Sequence, residues 1–268
     1  MTAQKPAFVR IEAMEDQILA QYIETLELDL KVKQEKSRRL KRDIQRHQNI
    51  LEAARMHAGR VKSVVVASSD KAYGEHDTLP YTEDAPLIGR NPYDVSKTCA
   101  DLIAQSYHQT YDLPVGIARC GNIYGGGDLN WSRIVPTAIK AYHEGKSPII
   151  RSDGTFVRDY LFVKDAVSGY LRLAEAMQDD SIKGQAFNFG NESPVTVLEL
   201  VAQIQDLMEA HHLDPEVLGT AKAEIHSQYL SAAKARKLLD WTPANDLKSG
   251  LVETIAWYRE FLEAESRG

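Results

Sequence analysis

The chain has 268 residues, 43% hydrophobic, a net charge of −6 and two cysteines, Cys99 and Cys120. That content supports a packed core and excludes wholesale disorder, while the acidic balance argues against a nucleic-acid binder. No apolar run approaches the ~20 residues that span a bilayer, the amino terminus lacks the apolar core of a signal peptide, and the cysteines lack metal-ligand spacing, so a reduced cytoplasmic setting without membrane, nucleic-acid or metal partners is expected.

Residues 1–48 contain no glycine and one proline, Pro6. Ile11, Met14, Ile18, Tyr22, Leu26 and Leu30 recur at helical spacing, which predicts one long amphipathic helix or a helical hairpin. The segment is acidic up to Asp29 and basic from Lys31 to Arg46. A solvated helix packing one stripe on its neighbour is the favoured reading. A coiled-coil or partner-binding helix comes second. A nucleic-acid patch is third, since no aromatics are interleaved.

From Asn49 the texture changes to alternating helices and strands. The pattern predicts a helix over 50–57, a strand over 61–67, a polar loop over 75–90 and a helix over 93–111. A strand over 113–120 follows, then a helix over 133–144 interrupted at Pro136, and strands over 148–150 and 157–163. The remainder reads as a helix over 165–177, a strand over 186–189, a helix over 196–211, a short strand over 223–227 and helices over 231–239 and 247–263. Such alternation argues for an α/β fold with a mostly parallel sheet covered by helices.

One stretch concentrates chemistry. Ser68-Ser69-Asp70-Lys71 follows the apolar run Val64-Val65-Val66, and so lies at the carboxyl end of a buried strand, where open α/β sheets bind ligands. Tyr93 and Lys97 stand four residues apart at the start of a helix, which puts them on one face. An ammonium beside a phenol favours the phenolate and makes a proton-transfer device. Alone, each feature is weak: tyrosine and lysine are common on helices, and Asp and Ser favour turns.

Together, Ser69-Asp70-Lys71-Ala72-Tyr73-Gly74 and Tyr93-Asp94-Val95-Ser96-Lys97 resemble the extended short-chain dehydrogenase/reductase superfamily, and most of all CDP-glucose 4,6-dehydratases. Further blocks agree in order: Arg119-Cys120-Gly121-Asn122-Ile123-Tyr124-Gly125, Arg158-Asp159-Tyr160, Phe187-Asn188-Phe189-Gly190 and Leu239-Asp240-Trp241-Thr242-Pro243. The similarity covers about residues 49–261. It implies a partial doubly wound, Rossmann-like sheet and a small C-terminal substrate lobe over 49–268, behind an atypical helical segment over 1–48.

The resemblance also implies roles. Tyr93 would take the proton of the sugar 4-hydroxyl while NAD accepts the C4 hydride. Lys97 would lower the Tyr93 pKa and hold the nicotinamide ribose, with Cys120 also on the cofactor side. Ser69 would bind the 4-oxygen, Asp70 would protonate the departing 6-hydroxyl, and Lys71 would remove the C5 proton. Other nucleotide-sugar dehydratases resemble this site but carry Glu at the position of Lys71. Asn122, Arg133 and Arg158 would contact the nucleotide diphosphate or its sugar, arginine suiting phosphate because its fork binds oxygens in pairs. A plainer reading of Arg158 is an ion pair with Asp159 or Asp165.

One departure is large. The family opens with a strand and a glycine-rich turn that seats the NAD pyrophosphate, whereas the first glycine here is Gly59. Weak NAD affinity, impaired turnover and an unpaired edge at Val64-Val65-Val66 are therefore expected. The leading function is an NAD-dependent 4,6-dehydratase of the CDP-glucose type. The alternatives are a non-catalytic relative that binds a partner, as a homodimer or as a heterodimer with an intact relative through helices 49–58 and 93–111, and a sugar-nucleotide epimerase.

Overall fold

The computed structural model describes residues 31, 34, 35, 37, 38, 41, 42, 44–220 and 225–267. The chain divides into two units, Met1–Arg46 and His47–Gly268. The helix expected over 1–48 lies largely outside the described residues. Those described between 31 and 46 are helical, and Glu35 pairs there with Arg38 at 3.9 Å and with Arg42 at 3.0 Å. These pairs are exposed, so they contribute little to stability.

The second unit begins with a helix, α1 (47–56), followed by β1 (Val64–Ala67) and a 3-10 turn at Asp70–Tyr73. Then come α2 (Pro92–Tyr111), β2 (Val115–Cys120), β3 (Asn122–Tyr124) and α3 (Ile134–His143). After β4 (Ile149–Ile150), β5 (Val157–Arg158) and β6 (Tyr160–Phe162) the chain forms α4 (Val163–Ala176) and β7 (Ala186–Phe189). It closes with β8 (Val195–Thr196), α5 (Val197–Leu207), β9 (Glu216–Val217), β10 (Ser227–Gln228), α6 (Ala233–Leu239) and α7 (Leu247–Arg267).

The main sheet is parallel, in the order β1-β2-β7. All six residues of β2 are buried, as a parallel strand covered on both faces requires. On one face Leu51 and Ala54 of α1 and Ala100 and Ala104 of α2 pack against Val66, Val115 and Ile117. On the other, Ala166 and Leu173 of α4 and Ala235 and Leu239 of α6 pack against Ala118, Phe187 and Phe189. This is the expected Rossmann-like layering, and among the described residues β1 is its outer strand.

A second core forms the C-terminal lobe, where Ile139 of α3, Leu200 and Ile204 of α5 and Leu251, Ile255 and Tyr258 of α7 enclose Tyr124, Tyr160 and Phe162. Its small strands pair as β3-β6, β10-β5-β8 and β4-β9.

Three boundaries differ from the sequence pattern for physical reasons. Pro136 does not interrupt α3, because it is the third residue of the helix, where the missing N–H has no intrahelical partner to lose. The apolar run over 157–163 is two strands parted at Asp159, β5 pairing with β8 and β10, and β6 with β3. Helix α5 stops at Leu207 instead of continuing to 211, since Glu209 adopts a left-handed backbone with φ 56°. Of the strand expected over 223–227, residues 223 and 224 lie outside the described residues.

No helix of the described residues is long and apolar enough to cross a membrane. Among them no group of three or more His, Cys, Asp or Glu side chains could hold a metal ion.

Candidate active site

The site sits at the carboxyl ends of β1 and β2. Ser68 continues the pairing by donating its N–H to Ala118 O at 2.9 Å. Ser69, still extended, then caps the 3-10 turn, its hydroxyl accepting from Lys71 N at 3.2 Å. The turn ends on Gly74 at φ 73°, where a Cβ would stand 2.9 Å from the backbone of Ile88 and Gly89, so only glycine fits. Helix α2 arrives with Pro92 in its first turn, and the Asp94 carboxylate accepts from the Asn91 N–H and side-chain amide. That start projects Tyr93 and Lys97 toward the turn.

A cavity of about 400 Å³ opens here, lined by Ser68, Ser69, Lys71, Tyr93, Cys120 and Asn122, with Arg133 on the α3 side. A neighbouring cavity shares Lys71, Tyr93 and Asn122 and adds Arg158. The structure thus gathers Ser69, Lys71, Tyr93, Cys120, Asn122, Arg133 and Arg158 around one depression. Asp70 stands behind its wall, 2% exposed, and its Oδ1 accepts the Ser69 hydroxyl at 2.9 Å. Lys97 donates to Ala67 O at 2.9 Å, and its ammonium lies 5.8 Å from the centroid of the Tyr93 ring.

The phenol of Tyr93 is held above its ordinary pKa. Although 56% of the residue's surface is accessible, desolvation of the phenol itself is the largest influence; Ser69 and Arg133 pull the pKa down, while Asp70 and Asp94 push it up. The Lys97 ammonium, which donates to a backbone carbonyl, faces the ring of Tyr93. Burial pushes the Cys120 thiol up to about 12, and its S–H points to Tyr170 Oη at 3.7 Å. Arg133 pairs with Asp128 at 3.0 Å on the rim. The Arg158 guanidinium donates to the carbonyls of Val157, Ile225 and His226.

Beneath the site runs a polar network that sequence reasoning did not assign. Arg119 of β2 pairs with the fully buried Asp101 of α2 at 2.8 Å and donates to Tyr73 Oη at 2.9 Å. Tyr73 in turn donates to Asn188 of β7 at 2.7 Å, and burial pushes its phenol up to about 12. Asp165 accepts the N–H groups of Ala244 and Asn245, and Trp241 Nε1 donates to Ser168 Oγ at 2.9 Å. The sequence blocks at Arg119 and Phe187–Gly190 are therefore largely the scaffold that holds the turn and α2, and the block at Leu239–Pro243 packs on α4 and β7. Gln228, also unassigned, donates from Nε2 to Asp70 O at 2.8 Å and accepts from Lys71 Nζ.

A parallel α/β sheet with a serine at a strand end, facing a Tyr-x-x-x-Lys helix, defines a short-chain dehydrogenase/reductase-type site. The chain belongs to the NAD dependent epimerase/dehydratase family, which it matches over residues 29–190. It is 31% identical over 213 residues to dTDP-glucose 4,6-dehydratase of Streptomyces griseus, covering 80% of this chain and 63% of that protein. It is 30% identical over 223 residues to CDP-glucose 4,6-dehydratase of Salmonella typhimurium, covering 77% and 61%. The solved structure of dTDP-glucose 4,6-dehydratase from Bacillus anthracis in complex with NAD superposes with a TM-score of 0.71 at 30% identity, over 81% of this chain and 67% of that one. UDP-glucose 4-epimerase from Thermotoga maritima, with UDP-glucose, gives a TM-score of 0.79 at 25% identity, over 85% and 73%. The chain spans about three fifths of the length of the curated relatives it matches.

One end of the site offers a polar group of the kind the family's cofactor needs. Ser68 Oγ is buried without a hydrogen-bond partner and lines the cavity beside Tyr93, an arrangement suited to a ribose hydroxyl, with Lys97 alongside. The pyrophosphate end has no counterpart among the described residues. The close approaches at Gly121, Gly125 and Gly126 are already taken by the protein: a Cβ there would meet Asp159 O at 3.0 Å, Val163 Cγ1 at 2.4 Å and Trp257 Cγ at 2.5 Å.

Proposed function

We propose that the site performs 4,6-dehydration of a nucleoside-diphosphate glucose, of the CDP-glucose type. The observation that carries this reading is the turn Ser69-Asp70-Lys71 set against Tyr93 at one cavity wall. A redox epimerisation at C4 needs the tyrosine and the serine but gives an acid–base pair at 70 and 71 no task. Lys71, in place of the Glu of other nucleotide-sugar dehydratases, supports the CDP-glucose assignment.

In this reading Tyr93 accepts the proton of the 4-hydroxyl, with Ser69 hydrogen-bonded to the same oxygen. NAD, when bound, supplies the hydride acceptor at C4 and returns the hydride at C6. The 4-keto group acidifies C5–H, Lys71 takes that proton, and the 6-hydroxyl leaves as water with a proton from Asp70, forming a C5–C6 double bond. Because Asp70 lies behind Ser69, its proton reaches the cavity by a relay in which that hydrogen bond reverses: protonated Asp70 donates to Ser69 Oγ as the Ser69 hydroxyl passes its own proton to the departing 6-hydroxyl. Protonation at C5 completes the 4-keto-6-deoxy sugar. Asn122, Arg133 and Arg158 face the diphosphate. No glycine-rich turn for the cofactor's pyrophosphate stands among the described residues, so NAD binding by these residues alone is weak. Saturable NAD binding at micromolar levels would overturn that part.

Lys71→Met tests the chemistry. Loss of a positioned general base costs about 10²–10⁴ in rate, so loss of water and C5 exchange should fall together by that factor. Unchanged dehydration would remove Lys71 from the mechanism.

A second reading, a dimerising or partner-binding role, is favoured by the apolar surface of two helices. Ile50 and Met56 on α1, and Leu102 and Tyr111 on α2, are all more than half exposed. Light scattering distinguishes it: a concentration-independent monomer would rule out this role as a homodimer.

A further inference from the structure

Gln228 is fully buried at the end of β10. Its amide grips both halves of the acid–base turn, 157 residues away in the chain: Oε1 accepts from Lys71 Nζ, and Nε2 donates to Asp70 O at 2.8 Å. These partners fix the amide's orientation, since turned over it would set donors against an ammonium and acceptor against acceptor. The residue is anchored from behind as well. β10 runs parallel to β5 with Gln228 opposite Arg158, and the Arg158 guanidinium donates to Ile225 O at 2.6 Å and His226 O at 3.0 Å. One short strand therefore joins the arginine of the diphosphate side to the turn that carries Lys71.

The partner's charge matters for a lysine that must give up a proton. A carboxylate would favour the ammonium and hold the proton on it. An apolar side chain would favour the amine but leave Nζ unanchored. A buried neutral amide oxygen holds Nζ in place without a full negative charge.

We infer that Gln228 is the positioning residue for Lys71: it holds Nζ at the cavity wall and sets the pH at which that group titrates. This rests on the role of Lys71 proposed above. Among the described residues, the charged or titratable groups that line the cavities with Lys71 or adjoin it include Asp70 on its own turn, Tyr93 and Asp94 from the start of α2, Arg158 from β5 and Arg133 across the cavity, and the variants leave these and every other neighbour of Lys71 in place.

The test reads Lys71 directly, without nucleotide or cofactor. The full chain is labelled with 13Cε-lysine, the Lys71 signal is assigned with Lys71→Arg, and its titration is followed by NMR in wild type, Gln228→Glu and Gln228→Leu. Gln228→Glu should raise the Lys71 midpoint by about one pH unit or more, and Gln228→Leu should lower it. The near-isosteric Glu variant keeps the test open if the Leu variant does not fold. A purely structural glutamine would alter melting temperature and leave the Lys71 midpoint in place, and a Gln228→Glu midpoint equal to wild type overturns the inference. If the midpoints move as expected but no nucleotide sugar is dehydrated, the functional reading fails while the role of Gln228 stands.

Discussion

Asp101→Ala should be among the most damaging single changes to the fold. Asp101 is 0% exposed and Arg119 is 3% exposed. The carboxylate takes two bonds from the guanidinium, at 2.8 and 3.0 Å, and a third from Gln105 at 2.6 Å. Removing it strands a buried cation whose remaining partners are Tyr73 Oη at 2.9 Å and Glu83 O at 3.2 Å, both neutral. Breaking a buried pair from one side costs about 3–5 kcal/mol. At roughly 2–4 °C per kcal/mol for a domain of this size, the melting temperature should fall by about 6–20 °C. The double variant Asp101→Leu with Arg119→Met should recover part of that loss, because it removes the uncompensated charge. Thermal and urea unfolding of the three variants against wild type measure the effect. The consequence reaches the site, since Asp101 lies one turn beyond Lys97 on α2 and pins that helix to β2. An Asp101→Ala variant melting within about 2 °C of wild type would refute this reasoning.

Three further predictions follow from groups around the cavity. With Tyr93 as the base of the proposed reaction, the rate should rise with pH toward its elevated pKa; Arg133→Ala removes a cation that favours the phenolate and should move the rising limb to higher pH, and a limb that moves lower or stays would exclude Arg133 from that role. Burial raises the Asp159 carboxyl from 3.8 to about 6, so the native state binds more protons than the unfolded one between those values. Stability should therefore fall by about 3 kcal/mol as pH rises from about 4 to 6, and Asp159→Asn should flatten that segment of the urea-derived stability curve. The Cys120 thiol, 3% exposed and pushed up to about 12, should resist iodoacetamide at pH 8 in the native chain and react only after unfolding, as peptide mass mapping would show.

The sheet and the reactive turn were legible in the sequence because both are local. The apolar run at Ala186–Phe189 maps onto β7 without adjustment, and Ser69-Asp70-Lys71 announces a turn at a strand end. Apolar periodicity does not reveal which strand pairs with which, so the run over 157–163 read as one strand although Asp159 turns the chain between two small sheets. The supporting polar groups were the least visible. Asp101 looks like any helical aspartate and Gln228 like any glutamine near a loop. Their partners lie 18 and 157 residues away, and only the assembled core makes them buried. Arg158 shows the same limit: its acidic neighbours in sequence offered ion pairs as the plain alternative to a substrate contact, and nothing local announced the carbonyls of 225 and 226 to which it donates.

The most direct test of the account is to incubate the chain with CDP-glucose and millimolar NAD in D2O and follow the nucleotide sugar by mass spectrometry and NMR. Dehydration predicts a product lighter by one water, with a 4-keto group and a solvent deuteron at C5. Recovery of unchanged CDP-glucose that is nevertheless bound by the chain, or of a 4-epimer with no water lost, would contradict it.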